Sequence, residues 1–127
     1  IGIFYRQKAN GEPMTVVGDG SQTRDFTHVN DVVQANILAA ETDSQNIFGE
    51  VFNVGSGTNH SVLDISSMIG GVLKFLPERL GEAKETLADI SKIKRVLGYN
   101  PTVFLEEWVN RENNNIQNYV SKKEEKK

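Results

Sequence analysis

The chain has 127 residues, 24% of them charged and 38% hydrophobic, with a formal net charge of −3 at pH 7 and no cysteine. That length suits one domain or less, and the composition excludes a chain disordered throughout or one that crosses a membrane, since no run approaches the ~20 apolar residues of a spanning helix. The missing thiols exclude disulfides and thiolate chemistry, as suits a reducing compartment, and the acidic balance argues against nucleic acid as the main partner.

Residues 1–9 read as the tail of a helix, with Ile1, Phe4 and Tyr5 on one side, Arg6 and Lys8 outside, and Asn10-Gly11 as its stop. The start at Ile1, with no signal peptide in view, suits a fragment or a processed chain. A short β-branched strand follows at 14–17. The stretch Gly18-Asp19-Gly20-Ser21-Gln22-Thr23-Arg24-Asp25-Phe26 then joins that strand to an amphipathic helix at 30–41. Its two glycines supply positive φ or let another group approach the backbone. Arg24 offers a planar, permanently charged fork for a phosphate or carboxylate; the alternative is a tight turn whose Arg24 pairs with Asp25 or Asp19.

The 30–41 helix places Val29, Val33, Ile37 and Ala40 on one stripe, Asp31 in its first turn suits the helix dipole, and His28 before it reads as a hydrogen-bonded structural residue. A polar loop at 42–49 leads to a second strand at 50–54 and to Gly55-Ser56-Gly57. Strand, GxG and helix in that order invite a phosphate-loop reading, but His60 stands where a dinucleotide fingerprint needs its third glycine. Ser61-Val62-Leu63-Asp64 has the form of a capping box, opening a helix with Val62, Ile65, Met68, Ile69, Val72 and Leu73 inward, which Gly70-Gly71 weakens. Residues 77–82 form a loop with a second isolated arginine, Arg79, whose alternative is a solvated residue or a pair with Glu82. Asp89 can cap a helix with Ile90, Ile93, Val96 and Leu97 inward and Gly98 as its stop. After Pro101 comes a last helix with Leu105, Trp108, Val109, Ile116, Tyr119 and Val120 on one face, interrupted by the poor helix formers Asn113-Asn114-Asn115. No internal repeat is visible.

The run GDGSQTRDFTHVNDVVQA, followed in order by VFNVGSG, PERLGE, ADISK and LGYNP, resembles nucleotide-sugar epimerases and dehydratases of the extended short-chain dehydrogenase/reductase family, with UDP-glucose 4-epimerase-like enzymes the nearest members. The likeness covers about residues 8–109 and corresponds to the C-terminal, substrate-binding portion of such an enzyme. It implies an α/β fold of few short strands with three or four helices, residues 1–120 forming the nucleotide-sugar-binding portion and 121–127 a charged, disordered tail. It implies that Arg24 and Arg79 contact the diphosphate of a nucleotide-diphosphate sugar, that Glu82 contacts the ribose, and that backbone groups of Thr15 and Val17 hold the base. The family often has Arg-Pro-Gly-Asp where this chain has Arg-Leu-Gly-Glu. A large indole at position 108, where the family has small residues, suggests local repacking or a contact with another chain.

Family chemistry is a reversible hydride transfer to bound NAD, and it needs a glycine-rich βαβ unit and a Tyr-x-x-x-Lys pair. Only Tyr119 and Lys123 have that spacing here, in the terminal run, and the match reads as chance. No residue of this chain is therefore assigned to catalysis, to cofactor or to metal. The expectation is a cytoplasmic, homo-oligomeric, NAD-dependent epimerase as the full-length enzyme, with this chain alone binding no NAD and inactive. The runner-up is a dehydratase or decarboxylase of the same family, and a non-catalytic binding or assembly module is the reading from another class. The strand at 50–54 and the helix at 30–41 are expected to belong to the cofactor domain's sheet and its covering helices.

Overall fold

The computed structural model describes residues 1–43 and 47–124, with side chains in the last helix described as far as Ile116. Among the described residues the order is α1 (Gly2–Ala9), β1 (Met14–Val17), β2 (Thr23–Arg24), α2 (Val29–Glu41), β3 (His60–Ser61), α3 (Val62–Ile69), β4 (Leu73–Leu76), α4 (Ser91–Leu97) and α5 (Leu105–Glu124). This is the expected small α/β arrangement, with five helices rather than three or four.

Two strand pairs organise it. β1 runs parallel to β4, Met14 opposite Leu73 and Val17 opposite Leu76. β2 pairs antiparallel with β3, Thr23 opposite Ser61 and Arg24 opposite His60, and Thr23 bridges in parallel to Glu85. β4 corrects the expectation of a helix running on to Leu73. The capping box forms as expected: Asp64 N–H donates to Ser61 Oγ at 3.0 Å and Ser61 N–H to Asp64 Oδ2 at 2.9 Å. But Gly70 and Gly71 both take positive φ, 73° and 144°, which ends α3 at Ile69. The chain then extends, and Met14 N–H donates to Val72 O at 2.8 Å to open the parallel ladder. Val72 is left exposed rather than in the core.

α1, β1, α3 and α5 enclose one core of Phe4, Met14, Val16, Ile65, Ile69, Leu105 and Val109. A second core joins α2 to α4 and the turn after it, through Ala35, Ile90, Ile93, Leu97 and Tyr99. α4 ends at Gly98 in the left-handed conformation, as expected, and Asp89 Oδ1 accepts from Ser91 N–H at 2.9 Å, but Val96 is exposed.

α2 buries a face other than its apolar stripe. Val29, Val33 and Ile37 are 65%, 51% and 48% exposed, whereas Asp31 and Ala35 are buried. The cause is Asp31: its carboxylate accepts from Thr102 N–H and Oγ at 2.9 Å each and from Val103 N–H at 3.2 Å. A buried carboxylate needs such donors, and satisfying it turns the 31/35/38 face inward.

Residues 50–54 form no ladder with any described strand, which corrects the strand expected there. They are held instead by Lys92, whose Nζ donates to Glu50 Oε2 at 2.6 Å and to Val51 O at 2.8 Å and lies 4.9 Å from the Phe52 ring centroid. α5 continues through Asn113–Asn115 and includes the first four residues of the charged run. The side chains of Tyr119, Val120 and Lys123, residues 125–127 and part of the 42–49 loop lie outside the described residues. Trp108 repacks within the chain, edge-on to Tyr5 with ring centroids 6.0 Å apart. No described helix is long and apolar enough to cross a membrane.

Candidate functional site

The C-terminal ends of parallel strands are where loops from neighbouring strands meet and leave a crevice. β1 and β4 end side by side, Gly18 N–H donating to Leu76 O at 2.9 Å, and the loops that follow, 18–22 and 77–84, enclose a cleft of about 220 Å³. The loops approach so closely that a Cβ on Gly18 would lie 3.1 Å from Glu78 Cγ. The lining carries three acids, Asp19, Glu78 and Glu82, and two cations, Arg79 and Lys84. Hydrogen bonds from the Ser21 hydroxyl and N–H, with the Lys84 ammonium as a smaller influence, hold Asp19 below its ordinary carboxylate range.

Arg79 and Glu82 face this cleft. Arg24 is not in the lining: its Nη1 donates to Thr23 O at 2.7 Å and its Nη2 lies 3.5 Å from Glu82 Oε1, a residue that is. Arg24 therefore pairs neither with Asp19 nor with Asp25, and it is Arg24 rather than Arg79 that takes Glu82. Val17 lines the cleft, and Thr15 lies one step back along the strand, outside it. Met14 and Gly18 donate to β4, so by the alternation of a parallel ladder the backbone groups of Thr15 and Val17 face the other edge. Two side-chain amides occupy part of that edge. Gln7 Oε1 accepts from Thr15 N–H and its Nε2 donates to Thr15 Oγ, both at 3.0 Å, and Gln22 Nε2 donates to Val17 O at 2.9 Å.

Sequence reasoning missed Asp25. Its carboxylate accepts from Ser56 N–H at 2.8 Å, Ser56 Oγ at 2.7 Å, Gly57 N–H at 3.1 Å and Ala88 N–H at 3.3 Å. Burial pushes its pKa up, but these hydrogen bonds together outweigh burial and leave it below the ordinary value. The signal was present as an acid beside Arg24 and a Gly-Ser-Gly turn with unassigned N–H groups. The turn is closed around it: a Cβ on Gly55 would fall 2.5 Å from Ala88 Cβ and 2.6 Å from Asp25 Oδ2. Tyr99 OH donates to Gly55 O at 2.8 Å, and burial first, then Asp31 and Asp25, raise the Tyr99 pKa. The donors that a dinucleotide's pyrophosphate would need at this turn are thus spent on an internal carboxylate, and Gly55-Ser56-Gly57 does not fit NAD. His28 caps α2, its Nδ1 accepting from Asn30 N–H at 3.1 Å, as a structural histidine would.

The family model described as GDP-mannose 4,6 dehydratase matches residues 3–112. The chain belongs to that family, the NAD-dependent nucleotide-sugar epimerases and dehydratases of the extended short-chain dehydrogenase/reductase type. It is 34% identical over 115 residues to an uncharacterized UDP-glucose epimerase of Bacillus subtilis, covering 86% of this chain and 36% of that protein. It is 38% identical over 117 residues to UDP-glucuronic acid decarboxylase 1 of Danio rerio, covering 87% and 27%. Its backbone superposes on UDP-glucuronic acid 4-epimerase from Bacillus cereus, solved with UDP-glucuronic acid and NAD, with a TM-score of 0.80 at 40% identity, covering 92% of this chain and 40% of that one. The chain thus spans about a third of the length of these curated relatives.

Proposed function

We propose that this chain forms the nucleotide-diphosphate-sugar-binding part of an NAD-dependent, UDP-glucose 4-epimerase-like enzyme. The observation that carries the reading is the cleft at the ends of β1 and β4, which Arg79 and Glu82 line, with Arg24 paired to Glu82. The Arg79 fork grips the diphosphate from the open side. Arg24 turns from Glu82 to the same group, and Glu82, released, accepts from the ribose hydroxyls. Along β1 the Thr15 carbonyl and the Val17 N–H offer an acceptor and a donor to a base edge, while Gln7 and Gln22 hold the other backbone groups of that same edge.

NAD supplies the hydride chemistry in the full-length enzyme and is held by residues other than these; the chain alone does not interconvert UDP-glucose and UDP-galactose. The full enzyme is cytoplasmic and homo-oligomeric, and the outward stripe of α2 and the exposed Val51 support its packing against the cofactor domain. A second reading, a decarboxylase, is favoured by the 38% identity to the Danio rerio protein. Given UDP-glucuronic acid, the full-length enzyme would release carbon dioxide under that reading; under the first it would release none and would interconvert UDP-glucose and UDP-galactose. The binding claim is tested by titrating UDP and uridine into the chain. UDP is expected to bind and uridine to bind at least tenfold more weakly, since each charge-assisted hydrogen bond is worth about 1.5–3 kcal/mol. Equal binding of the two would remove the diphosphate assignment.

A further inference from the structure

We propose that Lys84 is a further diphosphate-positioning residue of this cleft, a role that rests on the nucleoside-diphosphate reading above. Its backbone is fixed. Thr23 N–H donates to Lys84 O at 2.9 Å and Thr86 N–H to Thr23 O at 3.1 Å, so 84–86 run beside β2 like a third strand. Side chains alternate along such a segment. Glu85 is directed toward β3, accepting from Asn59 Nδ2 at 2.8 Å, and Lys84 takes the other side, in the wall of the cleft.

The charge arrangement gives it a task. Arg24 is engaged by Glu82. Arg79 and Lys84 line the same cleft, and neither is in an ion pair among the described residues. A diphosphate diester carries two negative charges. Arg79 suits one phosphate through its planar fork, and Lys84, a point charge on a flexible stem, suits the other without fixed geometry.

The test titrates UDP and inorganic pyrophosphate into the unaltered chain, Lys84→Ala, Lys84→Arg and Arg79→Ala, with melting curves for each. Lys84→Ala is expected to weaken both ligands about fivefold, the upper range for an exposed charge pair. Lys84→Arg should hold affinity close to the unaltered value, and the gap between Ala and Lys should narrow as salt is raised. All variants should melt together. Undiminished binding by Lys84→Ala, with binding lost in Arg79→Ala, overturns the role of Lys84 and leaves the diphosphate reading standing. No binding of UDP by the unaltered chain overturns both.

Discussion

Arg24 and Asp25 are adjacent in the chain and have opposite kinds of partner: Glu82 and the Thr23 carbonyl for the one, hydroxyl and backbone N–H donors for the other. The glycine turn at 55–57 gathers backbone N–H donors around a carboxylate that the protein itself supplies. The 18–22 and 77–84 loops, by contrast, place Arg79 and Lys84 in the lining of an open cleft. A backbone donor set is rigid, and here the fold spends it on its own cohesion. The proposed ligand is left to long cationic side chains on loops. A glycine-rich turn after an extended segment is therefore no guide to phosphate binding in this chain; what decides is whether an internal acid already fills it.

The contrast is broken most sharply by Asp25→Ala. It leaves the N–H groups of Ser56, Gly57 and Ala88 without their acceptor, and orphaning such a network costs about 3 kcal/mol or more. Urea unfolding should show that loss, with UDP affinity of the folded fraction unchanged. A coupled loss of affinity at unchanged stability would mean that Asp25 serves the ligand. Gly55→Ala comes next. A methyl 2.5 Å from Ala88 Cβ must displace the turn, at a cost of roughly 1–3 kcal/mol, and thermal melting checks it; a neutral result would show that the turn is looser than its packing indicates.

The smallest effect is with pH. Asp25 titrates below its ordinary value of 3.8 when folded, so its contribution to stability is full above that value and fades as pH falls through the folded pKa. Unfolding free energy should hold level down to about pH 4 and then drop, and Asp25→Asn should flatten part of that drop. Asp19, Asp64 and Asp89 are lowered too, chiefly by hydrogen bonds from Ser21, Ser61 and Ser91, so the fall should be shallowed rather than abolished.

What could be read from the sequence was local. The Ser61/Asp64 capping box, the Gly98 stop and the polar 77–82 loop depend on neighbours a few residues apart. β4 was not legible, because Val72-Leu73-Lys74-Phe75-Leu76 continues an apolar helix pattern until its pairing with β1 is known, and that partner is remote in the chain. The inward face of α2 was hidden for a similar reason. Val29, Val33 and Ile37 make the stronger stripe, and only the donors of Thr102 and Val103 reveal that Asp31 is buried. In the site, Arg79 and Glu82 both line the cleft. The engagement of Arg24 by Glu82, the part-filled edge at Thr15 and Val17, and the hub at Asp25 needed the fold.

The most direct measurement is calorimetric titration of UDP into Arg79→Ala and Arg24→Ala beside the unaltered chain, each paired with its melting curve. Both variants should bind about tenfold more weakly or worse and melt close to the unaltered chain, with lysine at either site restoring only part of the affinity because it keeps the charge and loses the fork. Unchanged affinity in both, with lowered melting, would show that the two arginines hold the fold and that the cleft does not bind a nucleoside diphosphate.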